Sequence, residues 1–334
     1  KSFPNMEQIQ GRIDSKAFDG VEIFTLDDII NDFKKYEELV KFARDNFGIV
    51  NFETFYAVNV NGEKHRYGLI DERPEIRERS RRLFEETIKL NDGWGNVNTH
   101  LVGNHVIANP EEVNVFTIEP KEQLTKTGEY LKQFANDITL ENVFPFDVTG
   151  DLNGKDDIFL YNIGCDMESF KFMYEKFGIL MTLDTAHLAI SLSQYSSYAR
   201  YEHIPLNDRK FKVKYPDNQR NLGSRILVTD LMNVFIGEVN KIPKIKNAHF
   251  INARINEKGV YSDGYIEFVQ ENGMLLDLFR TLHLLHKRPE LTQILPEVVD
   301  GNYASNPDYV KVPNMVEMAL RVRYCTTKLL NTSL

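Results

Sequence analysis

Several things are scarce in these 334 residues, and each scarcity removes a class of protein. There are two cysteines, Cys165 and Cys325, and neither sits in a C-x-x-C pair, which argues against a zinc knuckle or dithiol redox motif. No apolar run approaches the roughly 20 residues needed to cross a bilayer. No secretory leader is visible, and two isolated cysteines suit a reducing compartment, so the expectation is a cytoplasmic protein with no membrane partner. No Gly-rich dinucleotide fingerprint or P-loop follows any strand-like stretch. Positive charge is also short: 40 Lys and Arg face 49 Asp and Glu, for a formal net charge of -9. That balance disfavours a protein that coats nucleic acid by neutralising phosphates, because such binding needs a basic surface.

What is present is an alternation of helix-like and strand-like stretches. Strand-like segments fall at 19–25 (DGVEIFT), 48–57 (GIVNFETFYA), 95–103 (GNVNTHLVG), 138–145 (ITLENVFP), 179–184 (ILMTLD), 246–253 (KNAHFINA) and 292–300 (TQILPEVVD). Stretches with apolar residues at helical spacing separate them, including LDDIINDFKKYEELVKFARDNF, SRILVTDLMNVFIGEVN and IEFVQENGMLLDLFRTLHLLHK. Such alternation means a parallel sheet wrapped by helices. The fold expected is an α/β (β/α)8 TIM barrel over residues 1–334 as one domain, with an inserted loop at about 191–223. Seven strands are legible, so the first of the eight is expected upstream of Lys1. The insertion carries Tyr195, Tyr198, Tyr201, Arg200 and His203, a composition fit for a lid over substrate or for a solvated loop. Trp94 offers a sugar-facing platform or, by default, a packed aromatic.

The ends of four consecutive strands carry chemistry. Glu141 ends ITLE, Asp184 ends ILMTLD, His249 lies in KNAHFINA and Glu297 in ILPEVVD. In a barrel, these ends converge on the face that holds the active site. A lone strand-end Glu is usually an ion-pair partner. Four inward polar residues at one mouth would be costly without a shared partner, and a divalent cation is the expected one. The donor set admits Mn, Mg, Co or Zn, with a lean to Mn or Mg because it is rich in carboxylates.

The motifs ITLENVFP, GILMTLDTAHLAI, NAHFINARINEKGVYSDGYIEF and QILPEVVD, in that order, resemble the xylose-isomerase-like TIM-barrel superfamily. That group holds sugar isomerases and epimerases, related dehydratases and apurinic endonucleases. The resemblance implies one catalytic divalent metal ion held by Glu141, Asp184, His249 and Glu297. It implies that Glu141 and Glu297 also move the proton, through a metal-stabilised enediolate, and that His187, Arg254 and His100 contact substrate. The implied activity is isomerisation or epimerisation of a small carbohydrate or polyol derivative, by a chain whose outer helices could support a homo-oligomer. The alternative is an endonuclease-like phosphodiesterase with His100 and Asp263 as added ligands, or a dehydratase. The endonuclease branch calls for histidines where this chain has Glu53 or Tyr56 and Tyr265, so its full trinuclear set is not matched.

Overall fold

The computed structural model describes residues 4–71, 73–100, 104–107, 120–149, 158–162, 166–201, 217–255, 261–265, 268, 270, 273–297 and 312–332. Among them, seven strands form one sheet: β1 Gly20–Thr25, β2 Ile49–Thr54, β3 Val97–His100, β4 Ile138–Glu141, β5 Leu180–Asp184, β6 Ile245–Phe250 and β7 Gln293–Pro296. They lie in chain order, and every neighbouring pair is parallel. The sheet curls on itself. Asn51 of β2 hydrogen-bonds Gln293 of β7, and Glu22 of β1 lies 2.9 Å from His249 of β6. No β7–β1 pairing is seen among the described residues, so the barrel is nearly closed, with a seam between its first and last strands. The eighth strand expected upstream of Lys1 lies outside the described residues.

The helices are α1 Met6–Ser15, α2 Phe33–Asn46, α3 Pro74–Asn91, α4 Pro120–Leu131, α5 Met167–Phe177, α6 Thr185–Tyr201, α7 Asp217–Val228, α8 Leu231–Lys241, α9 Leu278–His286 and α10 Val312–Thr332. Local chemistry sets their ends. Asp32, Asp166 and Asp277 cap α2, α5 and α9 by accepting the backbone N–H three residues on. Pro74 opens α3, where its missing N–H costs nothing. In α2, Tyr36, Leu39, Val40 and Ala43 repeat at three- and four-residue spacing and bury one face. Helices α4 and α5 meet closely: a Cβ on Gly128 would lie 2.1 Å from the Phe177 ring.

The strands alternate sharply. Val50, Phe52, Val97, Ile138, Leu140, Met181, Leu183, Ala248 and Phe250 belong to the apolar core under the helices. Between them, Asn51, Asn98, Thr139, Thr182 and Asn247 are buried polar residues that face inward. They form a neutral network. Asn96 donates to Thr139 Oγ1 at 2.6 Å, Thr139 and Thr182 hydroxyls lie 2.7 Å apart, and Thr292 donates to Asn247 at 3.4 Å. At the N-terminal ends of the strands, Lys246 Nζ donates to Asn96 at 3.1 Å.

Three small antiparallel sheets rise beyond the C-terminal ends of the strands. Ala57–Val60 pairs with Glu63–Arg66 through Asn61 and Gly62, both at positive φ (54° and 86°). That is the backbone an Asn-Gly hairpin turn requires. Asn252–Ile255 pairs with Tyr261–Tyr265, and Ile158–Asn162 lies between Asn104–Ile107 and Phe146–Thr149.

Five readings of the sequence need correction. The strand expected over 48–57 stops at Thr54 and restarts as the hairpin at Ala57. The helix expected over SRILVTDLMNVFIGEVN is two, α7 and α8, because Asp230 is extended (φ −66°, ψ 137°). Of the helix expected over IEFVQENGMLLDLFRTLHLLHK, α9 alone is found among the described residues, since Gly273 takes φ 84° and Asp277 caps a fresh helix start. Residues 191–201 of the expected loop continue α6, and Tyr195 is buried in the core. Residues 202–216, including His203, lie outside the described residues, as do Cys165 and the side chains of Tyr198, Arg200 and Tyr201. Trp94 precedes β3, on the face opposite the mouth, is 69% exposed and stacks on Arg44 at 4.9 Å. It is no sugar platform at the active-site end. No described helix is long and apolar enough to cross a membrane.

Candidate metal centre

One inward step above the neutral network, the same strands end in acids and imidazoles. Glu53 ends the inward face of β2, His100 that of β3, Glu141 that of β4 and Asp184 that of β5. His249 does so on β6, and Glu297 directly follows β7. All but Glu297 are buried, and Glu297 is 15% exposed.

Asp184 is placed by its neighbours. The Asn142 amide accepts from the Asp184 N–H at 2.8 Å and donates to the Asp184 carbonyl at 2.9 Å. This explains the Glu-Asn pair: Asn142 prolongs the β4–β5 ladder with its side chain. Asp184 Oδ1 accepts the His187 N–H at 2.7 Å and thereby caps α6. Its Oδ2 lies 3.7 Å from His187 Nδ1. His187 Nδ1 is also 2.9 Å from the Asn142 carbonyl, an acceptor that holds the proton there and leaves Nε2 as the lone-pair nitrogen. Phe144 packs edge-on against that ring at 5.3 Å. The Asp-x-x-His spacing therefore puts a helix cap, a strand-end carboxylate and a fixed imidazole into one turn.

Glu141 is the hub. Its Oε1 lies 3.1 Å from His249 Nδ1 and 3.6 Å from His187 Nδ1. Its Oε2 accepts from Asn98 and lies 3.7 Å from His100 Nε2. His100 Nε2 is 3.7 Å from Glu53 as well. His249 Nδ1 is 3.3 Å from Glu297 Oε2, and its Nε2 is 2.9 Å from Glu22 Oε1. Glu22 aligns with Asn51 in the ladder yet reaches His249, because barrel strands are staggered.

Crowding marks the electrostatics. Burial, opposed by His187 and reinforced by the Glu297 and Glu141 charges, pushes the Asp184 carboxyl up to about 7. A carboxylate so raised is stabilised by a cation. Among the described residues, three groups have donor atoms within 4.8 Å of one another: Glu141, Asp184, His249 and Glu297; Glu53, His100 and Glu141; and Glu22, Glu53 and His249. The first is the set that the strand-end motifs bring together in the sequence. Oxygen-rich sets with one imidazole suit Mn2+, Mg2+, Co2+ or Zn2+.

Arg254 sits on the hairpin after β6, with its backbone paired to Ser262 and Met274. Its Nε has no hydrogen-bond partner among the described residues. The Asp263 side chain lies outside them. Reading strand ends alone misses Glu22, and gives Glu53, Asn98 and Asn142 no role at the site. The signal is nonetheless present: a Glu at the centre of DGVEIFT, and polar residues at every second place in strands of a parallel sheet, which normally read as continuous apolar runs.

No family model matches the chain, and no curated protein matches it in sequence. Among solved structures, the chain is similar to endonuclease IV from Thermus thermophilus, at 13% identity and a TM-score of 0.47, over 97% of this chain and 96% of that one.

Proposed function

We propose that the chain is a divalent-metal-dependent enzyme working at the C-terminal mouth of the barrel, and that it hydrolyses a phosphate ester with two ions. One observation carries this reading: the two oxygens of Glu141 face different ligand groups, Oε1 toward His249 and Oε2 toward His100. Glu141 would then be shared by two ligand groups. Glu141, Asp184, His249 and Glu297 would hold one ion, and Glu53, His100 and Glu141 the other. Such a pair of ions supplies charge stabilisation at the attacking and leaving oxygens of a phosphoryl centre. The chain's own residues supply the rest. Asn98 and the Asn142–Asp184 pairing fix the two central carboxylates. Glu297, the most open of the acids, is placed to take a proton. His187, with its Nε2 lone pair, and Arg254, on the hairpin after β6, would orient an anionic substrate.

A second reading is isomerisation or epimerisation of a small carbohydrate with one ion. The exposure of Glu297 favours it, since one reachable base suffices for proton transfer beside a carbonyl. A two-base scheme is disfavoured, because Glu141 is fully buried.

The test is metal stoichiometry on protein purified without chelator, followed by assay. Two ions per chain and turnover of a phosphodiester support hydrolysis. One ion, with turnover of a keto sugar, supports the second reading. No ion after soaking with Mn2+, Co2+ or Zn2+ sinks both.

A further inference from the structure

We infer that Glu22 is a positioning residue: it holds His249 in the tautomer that points a lone pair at the metal group. The inference rests on the metal reading above and adds a residue outside its ligand sets. His249 is fully buried, with a carboxylate on each side of its ring. Nε2 has Glu22 at 2.9 Å, while Nδ1 faces Glu141 and Glu297 at 3.1 and 3.3 Å. A neutral imidazole has one N–H, and the acceptor that takes it decides which nitrogen keeps the lone pair. Nδ1 is the nitrogen beside Glu141 and Glu297, which with Asp184 and His249 make the larger of the two converging groups that include this histidine. A proton on Nδ1 would face Glu141 and Glu297, whereas a proton on Nε2 would face the Glu22 carboxylate, within ion-pair distance. A carboxylate on the outer nitrogen also makes the inner one a stronger donor.

The chain places Glu22 for this purpose at some cost. It lies between Val21 and Ile23 in the core and is itself buried, an expensive position for a carboxylate without a polar partner. The other end of the histidine is held separately. Thr185 Oγ1 donates to the His249 carbonyl at 3.2 Å and to the Ile251 carbonyl at 2.6 Å. Backbone and outer nitrogen are thus fixed by different elements, which leaves the inner nitrogen facing the acids.

The experiment is Co2+ affinity, by competition with a chelator, for the wild type, Glu22→Gln and Glu22→Leu. Near-UV circular dichroism of the metal-free proteins reports folding. Loss of an outer-shell partner weakens metal binding about 10- to 100-fold. Glu22→Leu should show that loss with unchanged stoichiometry and a native spectrum. Glu22→Gln retains an acceptor oxygen and should stay near the wild type. Equal affinity in Glu22→Leu overturns the inference and leaves the metal reading standing. Loss of one whole equivalent in both variants also overturns it, by making Glu22 a ligand. Wild-type protein that takes up no Co2+ sinks the metal reading first. Should Glu22→Leu not fold, the 15N shifts of His249 in the wild-type metal-free protein decide: an Nε2–H supports the inference, and an Nδ1–H overturns it.

Discussion

Inside the barrel, Asn98, Thr139 and Thr182 sit one inward step below His100, Glu141 and Asp184, on the same three strands. The lower layer is neutral, and its amides and hydroxyls partner one another. In the upper layer, burial, with the nearby Glu297 and Glu141 charges adding to it, raises Asp184 to about 7. The lower layer is buried polar structure held mostly by neutral hydrogen bonds, with Asn98 also reaching up to Glu141. The upper one has the same strand support, but it gathers acids and imidazoles in sets that could hold a cation. Burial and inward direction alone therefore do not mark a site. What marks it is a set of groups whose mutual repulsion the chain does not fully offset.

The contrast between the layers breaks most easily from the top. Glu141→Gln should remove both ions and lower turnover by about a thousandfold or more, since the ions stabilise the reacting charge. Elemental analysis beside a phosphodiester assay checks it, and full ion content would contradict the hub role. His100→Ala should remove one ion and leave the other, so a fall from two equivalents to none would show that the groups are not separable. The third expectation concerns pH. Folded metal-free protein holds a proton on Asp184 more tightly than the unfolded chain does, between the ordinary 3.8 and about 7. Stability in chelator should therefore fall as pH rises through that window and level off above it. Urea unfolding at several pH values measures the slope, and bound ions should reverse its sign by favouring the carboxylate.

The lower layer yields smaller numbers. Thr139→Val strands the Asn96 amide without its acceptor, which costs about 1–3 kcal/mol. Ion content should stay at the wild-type value, and a lost ion would mean that the two layers are coupled. Trp94→Ala, on the opposite face, should change stability by less than about 0.5 kcal/mol and leave turnover alone.

Much of this is legible in the amino-acid order alone. Strand-like stretches mark all seven strands and period-3.6 repeats mark the helices between them, and Glu141, Asp184, His249 and Glu297 read as strand ends that converge on one mouth. What stays hidden has physical reasons. The Asn61-Gly62 hairpin merges with β2 in the sequence pattern, because both segments carry the same strand-forming residues. The kink between α7 and α8 lies in one unbroken apolar repeat, where a single extended Asp230 is decisive. Glu22 sits mid-strand, and its meeting with His249 depends on barrel curvature and stagger, which one-dimensional spacing does not encode.

The helix cap on α6 has a consequence for how this position can vary. Oδ1 of Asp184 serves the backbone of His187, and Oδ2 belongs to the charged cluster. Asparagine satisfies the first demand, since its oxygen still accepts the N–H, and fails the second. Alanine fails both. Descendants of this chain that lost the chemistry would therefore be expected to drift toward Asn at this position, leaving the cap as a fossil of the site after its charge has gone.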